Sequence, residues 1–188
     1  MTKILGISGS LRKNSYNAAL LRLAVELAPA DCELEVASIR GVPLYDADIE
    51  AADGSPPAVR ELKERLVGAA GLFLVTPEYN FSLPGVLKNC IDWMSRPPAD
   101  IPRVFGRRPV AVCGASGGRG GTRYAQMAWL PVFRALGMVP WFGGQLHIAE
   151  SAKVFDATGR VADEKTREQV RNFVAGFARF VSEVRSGA

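Results

Sequence analysis

Short apolar runs alternate with longer segments of helical periodicity along most of the chain, and this alternation restricts the fold more than any other feature. The apolar runs predict strands over residues 3–8, 33–39, 71–76, 108–114 and 138–142. Apolar residues at helical spacing predict helices over residues 17–28, 59–70, 84–96, 122–135 and 163–184. Strands and helices in strict alternation indicate an α/β fold, a parallel sheet with helices on both faces.

The order of the predicted strands follows from the connections between them. Right-handed crossovers leave few possibilities, and we predict a five-stranded parallel sheet of order 2-1-3-4-5 in a single domain over residues 1–188. In this order the winding reverses between strands one and three, so a crevice opens at their carboxyl ends. The loops after these strands are expected to line a site, whereas residues 46–57 are predicted to form a surface loop.

Composition excludes several classes of function. The formal net charge of +4 is modest and its basic residues are scattered, which disfavours a nucleic-acid interface and favours small anionic ligands. The cysteines Cys32, Cys90 and Cys113 have no CxxC spacing, and His147 is the single histidine, so neither a disulfide framework nor a metal site is expected. No signal peptide or membrane span is visible, and a reducing cytoplasm is the expected location.

The loop after the first strand has the composition of a phosphate site. It reads Gly-Ser-Leu-Arg-Lys-Asn-Ser-Tyr-Asn over residues 9–17 and leads into a helix, whose free N–H groups and dipole attract an anion. Four side chains add donors: Ser10, Arg12, Ser15 and Asn17. A single such residue is more often only a helix cap, but the four together favour phosphate.

The kind of phosphate is limited by motifs that the sequence lacks. Gly6-x-x-Gly9 is not the dinucleotide fingerprint, and the G-K-[S/T] of a nucleoside-triphosphate loop is missing. Arg40 stands near the end of the second strand, where a dinucleotide fold prefers an acid, although an arginine there can meet a 2′-phosphate. A terminal monophosphate, as in FMN, suits the loop best.

Two further loops can frame a flat ring. Residues 76–84 place prolines, polar groups and aromatic residues at the predicted switch point, and a proline-fixed turn can present backbone N–H groups to a flavin. Glu78 either contacts the ring edge or is solvated, while Tyr79 and Phe81 either border the ring or pack against a helix or a partner chain. Residues 114–122 are glycine-rich, which permits close approach to a ring or a tight turn capped by Thr122.

The motifs in these loops and in the helix after residue 84 resemble those of a known family. They are Gly9-Ser10-Leu11-Arg12…Ser15…Asn17, Pro77-Glu78-Tyr79-Asn80, Lys88-Asn89…Asp92-Trp93 and Gly114-Ala115-Ser116…Gly120-Gly121. The chain resembles the NAD(P)H-dependent FMN reductases of flavodoxin-like fold, which include quinone, chromate and azo-dye reductases. Asn14 stands where many members have glycine. The resemblance implies a three-layer flavodoxin-like sandwich that holds FMN and uses NADPH or NADH as co-substrate.

The resemblance also implies roles for individual residues. The phosphate is expected on the first loop and the isoalloxazine ring between the other two. The expected contacts are Ser10, Arg12, Ser15, Tyr16 and Asn17 for the phosphate end, with Pro77, Glu78, Tyr79, Asn80, Ser116, Gly117, Gly118, Gly120 and Gly121 for the ring. Family members are typically dimers or tetramers, and the helix with Asp92 and Trp93 is a usual interface element. A homodimer or homotetramer is therefore expected.

The implied reaction passes hydride from a nicotinamide through FMN to a quinone or a similar small electron acceptor. The flavin carries the chemistry, so no catalytic side chain is predicted, and His147 is expected to be structural. Arg12, Arg119 and Arg123 make NADPH a plausible donor. Two alternatives stay open: a flavodoxin-like electron carrier, which the net positive charge disfavours, and an FMN-binding regulatory module.

Overall fold

The protein is described here by a computed structural model that covers residues 1–187. Strands and helices alternate in it as the sequence predicts. The strands are β1 (Thr2–Ser8), β2 (Cys32–Ala37), β3 (Gly71–Val75), β4 (Pro109–Ala115), β5 (Val139–Pro140) and β6 (His147–Ile148). The helices are α1 (Tyr16–Glu26), α2 (Ala47–Asp53), α3 (Pro57–Val67), α4 (Gly85–Met94), α5 (Ile101–Val104), α6 (Arg123–Ala135), α7 (Ser151–Val154) and α8 (Glu164–Ser186), with a short 3-10 helix at Pro98–Asp100.

All strand pairs in the sheet are parallel, and the order is β2-β1-β3-β4-β5. The predicted order is therefore confirmed. The fifth position differs from the prediction, because β5 and β6 both pair with β4 and residues 141–146 leave the sheet between them. The prediction of one strand over 138–142 was too long at this edge and missed β6. The Gly143-Gly144 pair in between has low strand propensity.

Apolar side chains form one buried cluster on each face of the sheet. Successive side chains of a strand point to opposite faces, so Leu72 and Leu74 join the cluster with α3, α4 and α6, while Phe73 and Val75 join the cluster with α1 and α8. Every residue of β3 is buried, as expected for a central parallel strand. Two cores around one sheet make the predicted three-layer, flavodoxin-like sandwich.

The predicted surface loop over residues 46–57 is wrong in part, because it contains α2. None of the residues of α2 is buried, so the helix leaves no apolar periodicity in the sequence. Its start is instead stabilised by Asp46, whose carboxylate accepts a hydrogen bond of 2.9 Å from the N–H of Asp48. Arg96 also holds the helix through a 2.8 Å contact from its Nε to Oε2 of Glu50.

The helix α4 holds the segment before α2 in place. Trp93 is fully buried, and its indole N–H donates to the carbonyl of Pro43 at 3.0 Å. The Asn89 amide donates to the same carbonyl at 2.7 Å and accepts from the N–H of Tyr45 at 2.8 Å. The side chain of Trp93 thus supports the fold within one chain. Within residues 1–187, none of the helices combines the length and apolarity that crossing a membrane requires.

Candidate functional site

Three loops meet at the carboxyl edge of the sheet. The register pairs Ser8 of β1 with Val75 of β3, and Val75 with Cys113 of β4, so the three strands end side by side. Backbone hydrogen bonds continue past the strands, from Gly9 N to Val75 O at 2.9 Å and from Thr76 N to Cys113 O at 2.8 Å. The structure therefore brings together residues 9–15, 76–84 and 116–122, the loops that the sequence singles out.

The first loop offers backbone N–H groups without acceptors. Ser15 caps α1, and its hydroxyl accepts from the N–H of Ala18 at 3.3 Å. Within residues 1–187, the N–H groups of Ser10, Leu11, Lys13 and Asn14 have no hydrogen-bond acceptor in the protein. Unpaired donors at the amino end of a helix are suited to a phosphate dianion, so this loop fits the terminal phosphate of FMN.

The side chains of the first loop leave a cation at the surface. Arg12 is exposed, and its guanidinium lies 5.0 Å from the centre of the Tyr16 ring, which itself stacks on Phe155 at 5.6 Å. Arg40 donates to the carbonyl of Leu11 at 3.0 Å and so braces the loop from outside. The sequence offered Arg40 as a possible phosphate contact, whereas the structure shows it holding the loop backbone.

Asn17 is bound to the third loop's strand rather than left free. It is buried, and its amide donates to the carbonyl of Ala115 at 2.8 Å while accepting from the N–H of Ala115 at 2.9 Å. This pair of hydrogen bonds ties α1 to the end of β4. Its amide is therefore engaged within the protein, and a side-chain contact between Asn17 and phosphate stays an untested prediction.

The second loop contains a tight turn at its tip. Tyr79 and Ser82 exchange backbone hydrogen bonds of 3.2 and 3.0 Å, with Asn80 at φ 51° and Phe81 at φ 59° between them. Two successive positive φ angles are typical of a type I′ turn, and they cost Phe81 about 1–2 kcal/mol relative to glycine. Strained backbone of this kind is common where a loop must present groups to a ligand.

Glu78 links the second loop to α6. Its Oε2 accepts hydrogen bonds from the N–H groups of Tyr124 at 2.8 Å and Ala125 at 3.0 Å, in the first turn of that helix. The N-cap residue Thr122 makes no side-chain cap, and its hydroxyl accepts from the amide of Gln126 at 3.0 Å. Glu78 is thus the cap of α6 supplied from another loop. From the sequence, Glu78 was expected either to contact the ring edge or to be solvated, so its role as a helix cap was not predicted.

The third loop is closed by its own serine. The hydroxyl of Ser116 donates to the carbonyl of Gly121 at 2.5 Å, and the Ser151 hydroxyl donates to the carbonyl of Ser116 at 2.7 Å. Gly117 and Gly120 are exposed, and a Cβ at either would meet nothing within 4 Å. Their outer side is therefore open enough for a flat ring to lie against the backbone.

His147 lies behind the third loop. A Cβ at Gly121, which has φ +63°, would lie 2.9 Å from the Cβ of His147. Burial and the nearby charge of Arg123 lower the pKa of His147 from its ordinary value of 6.5. The imidazole is therefore neutral at pH 7, and its buried Nδ1 has no hydrogen-bond partner in residues 1–187. This placement fits the structural role expected for it.

Several buried polar residues support the loops but do not stand out in the sequence. The indole of Trp129 donates to the Thr76 hydroxyl at 3.1 Å, and that hydroxyl donates to the carbonyl of Pro77 at 2.8 Å. Gln126 also donates to the carbonyl of Leu146 at 3.0 Å. A polar residue directly after an apolar strand, such as Thr76, is the only local signal for these contacts.

Proteins of similar sequence cover most of this chain. A family model for NADPH-dependent FMN reductases matches residues 2–153. An NAD(P)H-dependent FMN reductase of Pseudomonas aeruginosa is 43% identical over 183 residues, covering 97% of both chains. A 2-hydroxy-1,4-benzoquinone reductase of a Burkholderia species is 37% identical over 183 residues, covering 97% of this chain and 98% of its own.

A solved structure agrees with the sequence comparisons. The flavoenzyme NAD(P)H:(acceptor) oxidoreductase of Paracoccus denitrificans superimposes with a TM-score of 0.87 at 33% identity, covering 97% of this chain and 98% of its own. Both the family match and the relatives extend over most of the sequence, including all three loops. The chain therefore belongs to the NADPH-dependent FMN reductase family.

Proposed function

We propose that this protein is an FMN-containing, NAD(P)H-dependent oxidoreductase that passes hydride from a nicotinamide through FMN to quinones or similar small electron acceptors. The observation that carries the proposal is the meeting of three loops at one sheet edge, where unpaired N–H donors lie beside an open glycine-rich backbone. Family membership supports the same reaction. The domain is proposed to span residues 1–188.

The first loop is proposed to hold the phosphate of FMN. Ser10 and Ser15 provide hydroxyl donors, Arg12 provides a charge-assisted contact, and Tyr16 and Asn17 provide N–H groups of the first helical turn. The amide of Asn17 contributes indirectly, since it fixes α1 against β4.

The second and third loops are proposed to border the isoalloxazine ring through their backbones. We propose residues 77–80 for one side of the ring, and Ser116, Gly117, Gly118, Gly120 and Gly121 for the other. Glu78 and Ser116 already bind protein groups, so their side chains set the shape of the loops. A frame fixed before the ligand arrives lowers the cost of binding it.

FMN, when bound, supplies the hydride-accepting and hydride-donating chemistry. The protein's residues bind and orient it, and the proposal assigns no catalytic side chain because orientation of the two rings supplies most of what hydride transfer needs. The co-substrate is NADPH or NADH, and the acceptor is a small molecule. We place the enzyme in the cytoplasm, which agrees with three free, buried cysteines in the described chain.

The proposed assembly is a homodimer or homotetramer. Large apolar side chains are exposed around the mouth of the site and along α6, which is typical of a surface that is covered by another chain. They are Tyr79, Phe81, Tyr124, Met127 and Phe142, with exposed fractions of 50, 75, 51, 61 and 72%. Light scattering on a sizing column measures the assembly directly, and a monomer at micromolar concentration would contradict this part of the proposal.

One absorbance experiment tests cofactor and reaction together. The purified protein, supplied with FMN if necessary, is expected to show a flavin spectrum that bleaches with NADPH or NADH and returns when a quinone is added without oxygen. A flavin that stays oxidised until a second redox protein is added indicates an electron carrier. A protein that gains no flavin spectrum on titration with FMN contradicts the proposal altogether.

A further inference from the structure

A groove begins at the first loop and runs along α1. One wall is α1, and the other is the loop over residues 155–161. Two adjoining cavities of about 330 and 530 Å³ make up the groove and share Ala19, Arg22, Thr158 and Gly159. Each volume falls within the range of small-molecule sites. The smaller cavity is lined by residues 12–16 and so overlaps the proposed phosphate site, while the larger cavity lies beyond it along α1.

The lining of the groove carries excess positive charge. Its basic residues are Arg12, Lys13, Arg22, Arg160 and Arg167. Within residues 1–187 the first four of these form no ion pair, and only Arg167 does, at 2.6 Å from Glu26. Arg12 is assigned to the FMN phosphate, and the other carboxylate of the lining, Asp156, offsets one further charge. Lys13, Arg22 and Arg160 therefore still leave an excess of positive charge. An anion is therefore the ligand that this groove attracts.

The loop that forms the outer wall is folded against itself. Oδ1 of Asp156 accepts from the N–H of Thr158 at 2.8 Å, from the Thr158 hydroxyl at 2.7 Å and from the N–H of Arg160 at 3.0 Å. These bonds turn that oxygen of Asp156 toward its own loop. They also fix the backbone of Arg160 at the rim, so that its side chain projects from a defined turn.

A glycine lets this loop approach α1. Gly159 has φ +79°, and a Cβ there would lie 3.0 Å from Nη2 of Arg22 and 3.1 Å from the Cβ of Ala19. The guanidinium of Arg22 therefore lies against the loop at the point where both cavities meet. At the other end of the smaller cavity, the partly exposed ring of Tyr16 stacks on Phe155, and the guanidinium of Arg12 lies 5.0 Å from the ring centre.

We propose that this groove binds the 2′-phosphoadenosine half of NADPH, with Arg22 and Arg160 at the 2′-phosphate and Tyr16 near the adenine. The inference rests on the proposed function, and it assigns the enzyme a preference for NADPH over NADH. The 2′-phosphate is the one group that distinguishes the two nucleotides, and it is a dianion. Unpaired arginines at the rim of a groove that begins beside the cofactor site match that difference.

A binding experiment tests the groove without any turnover. The FMN-loaded protein is titrated calorimetrically with 2′,5′-ADP, with 5′-ADP and with inorganic phosphate. We expect 2′,5′-ADP to bind at least about 10-fold more tightly than either of the others, since only it contacts both arginines and the aromatic surface. Equal affinity for inorganic phosphate would reduce the groove to a simple anion site, and no binding of 2′,5′-ADP would overturn the proposal.

Variants locate the contact. Arg22→Ala and Arg160→Ala are each expected to weaken 2′,5′-ADP about 3- to 10-fold and to leave 5′-ADP unchanged, while Arg22→Lys retains part of the affinity. Arg179→Ala is the matched control, because Arg179 is an exposed arginine of α8 outside the groove. If Arg179→Ala weakens 2′,5′-ADP binding equally, then the net charge of the protein, and not a specific site, accounts for the binding. Circular dichroism checks that each variant is folded.

Steady-state reduction of a quinone separates this inference from the proposed function. Arg22→Ala is expected to raise the KM for NADPH about 3- to 10-fold, with the KM for NADH and both kcat values unchanged. Equal changes with the two nucleotides would overturn the inference and leave the reductase function intact. Failure of both nucleotides to reduce the wild-type protein would contradict the proposed function, while the calorimetry would still decide on the groove.

Discussion

The phosphate end and the ring end of the candidate site are built differently. At the phosphate end, Arg12 is exposed, and among residues 1–187 neither its guanidinium nor several loop N–H groups have a hydrogen-bond partner. At the ring end, two polar side chains already have partners within the protein: Glu78 binds the first turn of α6 and Ser116 binds the carbonyl of Gly121. One end leaves a charged side chain and backbone donors free for a ligand, whereas the other uses Glu78 and Ser116 to shape its backbone.

This difference reflects what each part of a flavin nucleotide needs. A phosphate dianion is recognised by charge and by donors that converge on it, so free side chains and unpaired N–H groups are effective there. A flat ring with donors and acceptors along one edge needs backbone groups at fixed positions. Bracing the backbone beforehand, even with the strained turn at Asn80 and Phe81, supplies that rigidity.

Asn17 connects the two ends, and its loss is expected to have the largest effect. In Asn17→Ala the buried N–H and carbonyl of Ala115 lose both partners, which lowers the free energy of unfolding by about 2–5 kcal/mol. Urea unfolding of the FMN-free protein measures this change in the free energy of unfolding. Asn172→Ala is the control, since the amide of Asn172 makes one exposed contact with Glu168. If Asn17→Ala lowers the free energy of unfolding no more than Asn172→Ala does, then Asn17 does not connect the two ends of the site.

Arg12 is predicted to act on the phosphate alone. Arg12→Ala is expected to weaken FMN about 10- to 30-fold, because one charge-assisted contact to the phosphate is lost. Riboflavin, which has no phosphate, should bind the variant and the wild type equally, as measured by quenching of flavin fluorescence. An equal weakening of riboflavin binding would show that Arg12 also shapes the ring end. That result would contradict the different roles of the two ends.

Glu78 is predicted to give the opposite pattern. Glu78→Ala removes the cap of α6 and lowers the free energy of unfolding by about 1 kcal/mol. Because the second loop loses its tie to α6, FMN and riboflavin should weaken by the same factor. Glu78→Gln keeps an acceptor oxygen and should recover most of both losses. A variant that affects FMN but spares riboflavin would place Glu78 at the phosphate end instead.

His147 gives the smallest expected effect. Its folded pKa is lowered by burial and by Arg123, so the neutral ring is favoured in the folded state. Stability is therefore complete above pH 6.5 and decreases as the pH falls from 6.5 towards the lowered folded pKa. Because it is the only histidine, its imidazole C2–H resonance is unambiguous in proton NMR. We expect the titration of this resonance to have its midpoint below pH 6.5. A midpoint at or above pH 6.5 would mean that His147 is exposed to solvent behind the third loop.

The sequence predicts much of the fold because periodicity is a local signal. Alternating strands and helices were enough for the strand order and for the three loops at the carboxyl edge. The helix α2 was missed because it buries no residue, and β6 was missed because a strand of two residues has no pattern to recognise. Elements without an apolar face leave little trace in a single sequence.

The roles of individual polar side chains at the site were harder to predict. Local composition marked Ser10, Arg12 and Ser15 as donors beside a helix start, and the structure places them there. Asn17 and Glu78 belong to equally clear motifs, yet the structure commits them to protein partners. The motif identified the residues, whereas only the tertiary structure showed that the side chains of Asn17 and Glu78 bind other parts of the protein.

The sequence by itself determined the class of fold, the three loops and the resemblance to a reductase family, because each depends on neighbours along the chain. The tertiary structure alone decided that Asn17 meets Ala115 and that Glu78 caps α6, contacts that span 98 and 46 residues. It also decided that Arg22 and the loop at Gly159 form one groove. Hydrogen bonds act over about 3 Å, so distant residues become partners only after packing of the sheet and helices has aligned them.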